Sequence, residues 1–251
     1  MLIDVHCHIN LYLVLDEILR DSTKEGVNKI IGVSMSELSL NRIIELSKKY
    51  KMIYPALGIH PEEVSINKNI EENLDKVTDF IRKNKEVTCC IGEIGLDHHF
   101  IKNKELYPLQ EKVFKKMLDL AQELSLPVNI HSKGAEEKIF ELLPSYDLPN
   151  VNIHWFSGPE EYLKIGTERG YYFSITPAIS YSPMVKKVAS YVNSNHLLLE
   201  SDGPVKFSDI TGTPSMLRSV LRKVAQIKKI NEENLEQQIE KNTMKVFPKI
   251  F

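Results

Sequence analysis

Histidine and carboxylate side chains recur at one kind of place in this chain, and their types suit metal-assisted hydrolysis. The first apolar, β-branched run ends in His6, with Cys7 and His8 following. Later runs end in Glu93, His131 and His154, and the last leads into Asp202. Residues two apart on an extended chain point to one side, so His6 and His8 can chelate one ion while Cys7 faces the packing. Imidazole with carboxylate suits zinc, manganese or iron better than calcium, which takes oxygen ligands. Six donors exceed the need of one tetrahedral site. A bridging carboxylate with three further groups per side could instead hold two metals about 3.5–4 Å apart. Buried together without a metal, these groups would stay unpaired at a cost of kilocalories each.

Such scattered residues need a frame that gathers strand ends. Eight strand candidates are Leu2–His6, Lys29–Ser34, Met52–His60, Val87–Glu93, Val128–His131, Val151–His154, Tyr171–Ile175 and His196–Ser201. Most are near-continuous apolar runs, as expected of parallel strands covered on both faces. Amphipathic segments separate them: Leu38–Tyr50, Ile70–Asn84, Lys104–Leu124, Glu136–Leu143, Pro159–Arg169 and Met184–Val192. In the third, Val113, Met117, Leu120, Ala121 and Leu124 share a face. Gly166 weakens the fifth, and Gly170 can cap it. The tail from Thr213 to Phe251 reads as two helices split near Asn231. Eight βα units predict an α/β fold, a (β/α)8 TIM barrel, whose C-terminal strand ends surround one mouth. An open doubly wound sheet lacks support, because no Gly-x-Gly-x-x-Gly follows an early strand. The chain is read as one domain over residues 1–251, without linker, low-complexity tract or short repeat.

The length of 251 residues matches one such barrel, which runs to about 250. With 32 Lys+Arg against 34 Asp+Glu, the net charge of -2 gives no global pull towards nucleic acid. Such a substrate would have to be held locally. Cys7, Cys89 and Cys90 read as small buried hydrophobes rather than a disulfide or zinc framework. No signal peptide or membrane span is apparent, so the protein is expected to be cytoplasmic, a monomer or small homo-oligomer, with no membrane partner.

Jointly, several segments resemble the TatD family of metal-dependent deoxyribonucleases in the amidohydrolase superfamily. They are Asp4-Val-His6-Cys-His8, Gly58-Ile-His60-Pro61, Ile91-Gly-Glu93-Ile-Gly95-Leu-Asp97, Pro127-Val-Asn-Ile-His131-Ser132, Ile153-His154-Trp-Phe156-Ser157-Gly158 and Leu199-Glu200-Ser201-Asp202, in order through positions 1–204. The resemblance implies a (β/α)8 barrel, two divalent metal ions (Mg, Mn or Zn) and phosphodiester hydrolysis. It also implies that His6, His8, Glu93 and Asp202 bind one metal, that Glu93, His131 and His154 bind the second, and that Glu93 bridges. Departures fall on substrate-facing parts: Lys133 stands where arginine is common, and His98-His99 where an aromatic pair is usual. The stretch after Asp202 keeps only Gly212 and Pro214 of the familiar pattern.

The expected activity is hydrolysis of DNA or another phosphodiester by a metal-activated water, on a short or single-stranded substrate. Asp202 would take the proton and, with Glu93, is the catalytic candidate. Lys133, His60 and Trp155 are the substrate-binding candidates. Bland alternatives are a solvated Lys133 at a helix start, His60 as a loop anchor before Pro61, and packed roles for Phe156, His99 and His196. Asp97 is expected to fix a loop or a ligand rather than to bind metal. Rival functions are amidohydrolase-type cleavage of a C–N or ester bond and a non-catalytic metal-containing binding protein.

Overall fold

A computed structural model describes residues 1–251. One eight-stranded parallel sheet runs in sequence order: β1 (Leu2–Cys7), β2 (Val27–Val33), β3 (Ile53–Leu57), β4 (Cys90–Gly95), β5 (Val128–His131), β6 (Val151–Ile153), β7 (Tyr172–Ile175) and β8 (Leu197–Leu199). The cylinder closes just past β8, where Asp202 N donates to His6 O at 2.9 Å and His8 N donates to Gly203 O at 2.8 Å. The surrounding helices are α1 (Leu15–Lys24), α2 (Glu37–Lys49), α3 (Glu63–Ile66), α4 (Ile70–Lys83), α5 (Tyr107–Leu124), α6 (Glu136–Leu142), α7 (Glu160–Glu168), α8 (Pro183–Tyr191), α9 (Leu217–Lys228) and α10 (Glu232–Val246). This is the (β/α)8 barrel that the alternation of runs predicts. No helix is long and apolar enough to cross a membrane.

Strand alternation divides the core. Leu197 and Leu199 of β8 belong to a large cluster shared with the helices, whereas Leu198 belongs to a smaller one with Ile3, Val5, Ile31, Val33, Ala56 and Cys90. Successive side chains face opposite sides of a strand, so the smaller cluster fills the inside of the cylinder. Val246, Phe247 and Ile250 of the C-terminal segment join it. Cys7, Cys89 and Cys90 are buried and unpaired.

Local details follow residue chemistry. Val113, Met117, Leu120 and Ala121 of α5 are buried, with Leu124 half-buried. Asn231 caps α10 by accepting from Glu233 N and Asn234 N, which separates it from α9. Gly166 is required by packing: a Cβ there would come within 2.7 Å of Phe173 Cζ. Gly170 adopts φ +74° just past α7, the left-handed turn that glycine takes without penalty.

Several elements differ from expectation: the short helix α3 is not among the expected helices, and β8 spans Leu197–Leu199 rather than His196–Ser201. β3 ends at Leu57 rather than His60, so Gly58–His60 turns away from the sheet. β4 begins at Cys90 rather than Val87: Val87 is 50% exposed and its N–H donates to Asn84 O, finishing the preceding helix end. Helix α1 is likewise unexpected, although Leu15, Ile18 and Leu19 share one face at helical spacing and pack against the core, with Ser22 buried beside them. A short hairpin, β9 (Lys206–Phe207) with β10 (Ile210–Thr211), occupies the stretch after Asp202.

Two breaks in strand register position the chemistry. β1 slips against β2 between Asp4 and Cys7, around His6, and β4 slips against β5 between Ile91 and Ile94, around Glu93. Bulges of this kind re-aim side chains next to active sites.

Candidate metal centre

All six expected donors meet at the mouth. Glu93 sits at the middle: its Oε2 lies 3.3 Å from His6 Nε2 and 3.5 Å from His8 Nε2. Its Oε1 lies 2.9 Å from His131 Nδ1 and 3.7 Å from His154 Nε2. Asp202 Oδ1 faces His8 Nε2 at 3.3 Å and His6 Nε2 at 3.5 Å. His6 Nε2, Glu93 Oε2 and Asp202 Oδ1 are buried and lack any well-directed hydrogen bond. Buried polar atoms are otherwise almost always paired, so converging orphans fit a cation between them. Three overlapping groups are compact enough for this: His6, His8 and Glu93; His6, His154 and Asp202; and His60, Glu93 and His131.

Behind these donors, fixed partners select the tautomers. Asn129 Nδ2 donates to Val5 O at 3.0 Å, which turns Asn129 Oδ1 towards His6 Nδ1 at 3.2 Å. The His6 proton is thereby held on Nδ1, leaving the Nε2 lone pair for the centre. Glu200 Oε1 does the same for His154 Nδ1 at 2.9 Å and also accepts from Trp155 N. That last bond steadies Trp155 at φ +36°, a left-handed conformation unusual for a bulky residue. Asp97 Oδ2 holds His131 Nε2 at 2.8 Å, while its Oδ1 accepts from His99 N and Phe100 N. Asp97 thus fixes both a loop and a site histidine, as its sequence context predicts.

Charges are correspondingly displaced. Burial lowers the pKa of His6, but Glu93 and Asp202 outweigh it and raise it to about 10. Burial is likewise outweighed at His131, where Asp97 and Glu93 raise the value to about 9. Burial would raise Glu93, yet the histidines around it, His60 and His6 foremost, hold it well below the usual range. Burial pulls His60 down to about 3, and burial with the neighbouring His6 charge pulls His154 well down. Glu200 is pushed up by burial to about 7.

A cation needs the lone pairs that those protons occupy. Titrating Mn2+ into chelator-treated protein at pH 7 is therefore expected to release protons, chiefly from His6 and His131. Since both values are raised, affinity should climb as pH rises towards 9–10. Calorimetry in two buffers of different ionisation heat counts the protons. A count of zero would show that both rings are already neutral at pH 7 in the metal-free protein.

The centre forms one wall of a cavity of about 860 Å³, which also presents His60, Phe100, Lys133, Glu136, Trp155 and Ser157. His60 is drawn deeper than a rim contact. Its Nδ1 accepts from Glu62 N at 3.1 Å, and its Nε2 lies 3.3 Å from His131 Nδ1. A backbone N–H can only donate, so the single proton of neutral His60 sits on Nε2, facing the site as a donor. Lys133 Nζ donates to Ser157 Oγ at 2.8 Å and Trp155 O at 3.2 Å, and lies 4.3 Å from the Trp155 ring centre. It is not a freely solvated lysine; burial lowers its pKa. Phe156 is buried against Phe140 and Phe173. His196 packs on Tyr172, away from the cavity, whereas His99 lines the cavity.

Sequence reasoning passed over Asn129, Asn152, Glu200 and Phe100. One signal was present. Val-Asn-Ile-His occurs at 128–131 and again at 151–154, and β5 and β6 pair Asn129 with Asn152 in register. A short repeat therefore exists, and Asn152 Nδ2 donates to Asn129 Oδ1 and Ser174 Oγ beneath the histidines.

Comparison with known proteins identifies the family of the chain. A family model described as TatD related DNase matches residues 3–248. An uncharacterized metal-dependent hydrolase of Methanocaldococcus jannaschii is 36% identical over 252 residues, 98% of this chain and 96% of that protein. Deoxyribonuclease TATDN3 of Homo sapiens is 29% identical over 264 residues, covering 99% of this chain and 95% of that protein. The solved structure of YjjV, a TatD homologue from Escherichia coli, has a TM-score of 0.87 at 25% identity, over 98% of both chains.

Proposed function

The chain belongs to the TatD related DNase family of metal-dependent hydrolases, and from that premise we propose that it cuts phosphodiester bonds of DNA in short or single-stranded substrates. The observation that carries this is the convergence of orphaned donor atoms on the wall of a cavity whose one lysine or arginine is Lys133. Two divalent cations, magnesium, manganese or zinc, fit the donor set. His6, His8, Glu93 and Asp202 would hold one; Glu93, His131 and His154 would hold the other. Bound there, such cations supply Lewis-acid polarisation of the phosphoryl oxygen and make water a better nucleophile.

The chain's own groups do the rest. Lys133, braced by Ser157, sets a fixed positive charge for one phosphate oxygen. His60 offers its Nε2–H to the phosphoryl group, and Trp155 forms part of the wall beside it. Asp202 would help hold the first cation and would also be the group that accepts a proton from the attacking water. Asp97, Asn129 and Glu200 keep three histidines in the required orientation. One fixed cation engages few phosphates, so binding should show a shallow salt slope, as suits a strand end rather than a long duplex.

Single-stranded DNA is expected to be degraded with added Mg2+ or Mn2+, to survive chelation, and to be preferred over amides and lactones. Turnover of an amide or lactone with no cleavage of DNA overturns the reading. Lys133→Ala is expected to lower kcat/KM on DNA about tenfold to a hundredfold, mainly through KM.

A further inference from the structure

Phe100 is 73% exposed, yet it lines the same cavity as the metal centre. Its loop is not slack. Asp97 N donates to Gln110 Oε1 at 2.9 Å and Gln110 Nε2 returns a bond to Asp97 O at 3.1 Å, both buried. Asp97 Oδ1 accepts from Phe100 N at 2.6 Å. On the other side Ile101 is buried, and Tyr107 donates its hydroxyl to Ile101 O at 3.2 Å. His98 stacks on Tyr107 at 3.7 Å, and His99 meets Phe100 edge to face at 4.7 Å. Both neighbours of Phe100 are tied down while the ring itself is held out in water.

The charges beside it have a pattern of their own. Lys112, Lys115 and Lys116 on α5 are each paired, with Glu71, Glu111 and Asp75. Lys102 and Lys104, two and four residues beyond Phe100, are exposed and make no ion pair. An exposed aromatic face continuous with the reaction cavity, followed in the chain by two exposed lysines without ion pairs, matches an aromatic base with backbone phosphates beyond it. Trp155 is less available, since Lys133 and Phe207 already pack on it.

We infer that Phe100 is a stacking platform for an unpaired base of the substrate strand, with Lys102 and Lys104 taking backbone phosphates. This rests on the DNA reading above. Every base has a π-face, so the platform favours single strands and frayed ends without reading sequence. In an intact duplex those faces are covered by neighbouring bases.

The test uses Mn2+-loaded protein and a cleavage-resistant, phosphorothioate-linked octathymidylate, followed by fluorescence anisotropy. Phe100→Ala is expected to weaken binding about tenfold to a hundredfold, and Phe100→Trp to stay within about threefold of wild type. An abasic strand of the same length should bind wild type and Phe100→Ala alike. Replacing both Lys102 and Lys104 with Ala should reduce the salt slope by about 1.4. Equal affinity of wild type and Phe100→Ala for octathymidylate overturns the platform, as does an equal loss on the abasic strand. Cleavage of ordinary DNA by the wild type keeps the functional reading intact in that event. If the wild type neither binds nor cuts DNA, both readings fall.

Discussion

Glu93→Gln is expected to lower hydrolysis by at least about a thousandfold and to reduce the number of cations held per chain. The two oxygens of Glu93 face two groups of nitrogens at 2.9–3.7 Å: His6 and His8 from Oε2, His131 and His154 from Oε1. The amide has the same size, so packing is preserved. It replaces one oxygen with an NH2 that points hydrogens at a group of lone pairs, and it removes the negative charge that those histidines surround. Loss of a bridging anion should remove several kcal/mol of charge stabilisation, which is the scale of a thousandfold in rate. Metal analysis after dialysis gives the cation count, and calorimetric unfolding separates this from misfolding. Two retained cations and a rate within about tenfold of wild type would sink the bridging role.

The parts of this centre that were legible in the sequence share one property: each is a polar residue that ends an apolar run. His6, Glu93, His131, His154 and Asp202 interrupt strands that otherwise read as fully buried, and parallel topology brings such ends together. What stayed hidden depends on backbone turns and on contacts between distant segments. His60 looked like a strand end, but the strand stops at Leu57, and the turn through Gly58 carries the ring in against His131. Glu200 lies within the Leu-Leu-Leu-Glu run, where burial of a carboxyl made little sense until His154 and Trp155 N supplied its partners. The paired asparagines needed the register of β5 on β6 before their role could be seen. The β9–β10 hairpin stayed hidden for the opposite reason, since strands of two residues are too short to impose a pattern, whereas helix α1 does carry apolar residues at helical spacing, Leu15, Ile18 and Leu19.

Asp202→Asn is expected to give a different signature from Glu93→Gln: loss of turnover by about a thousandfold with the cation count unchanged. The backbone there is held independently of the side chain, by Asp202 N to His6 O and by Val205 N to Asp202 O. Residue 202 has φ +48°, a left-handed conformation that Asn tolerates as well as Asp. The variant should therefore keep its shape and still present a carbonyl oxygen beside His6 and His8. What it cannot do is accept a proton on the second atom, because an amide nitrogen has no basic lone pair. General-base removal typically costs between a hundredfold and ten-thousandfold, about the middle of which is expected here, in kcat rather than KM. If Asp202→Asn instead loses a cation as Glu93→Gln does, Asp202 is a ligand alone. The proton would then have to leave through another group that faces the reacting water. His60 cannot be that group, because the Glu62 N–H occupies its Nδ1 and its Nε2 already carries a hydrogen.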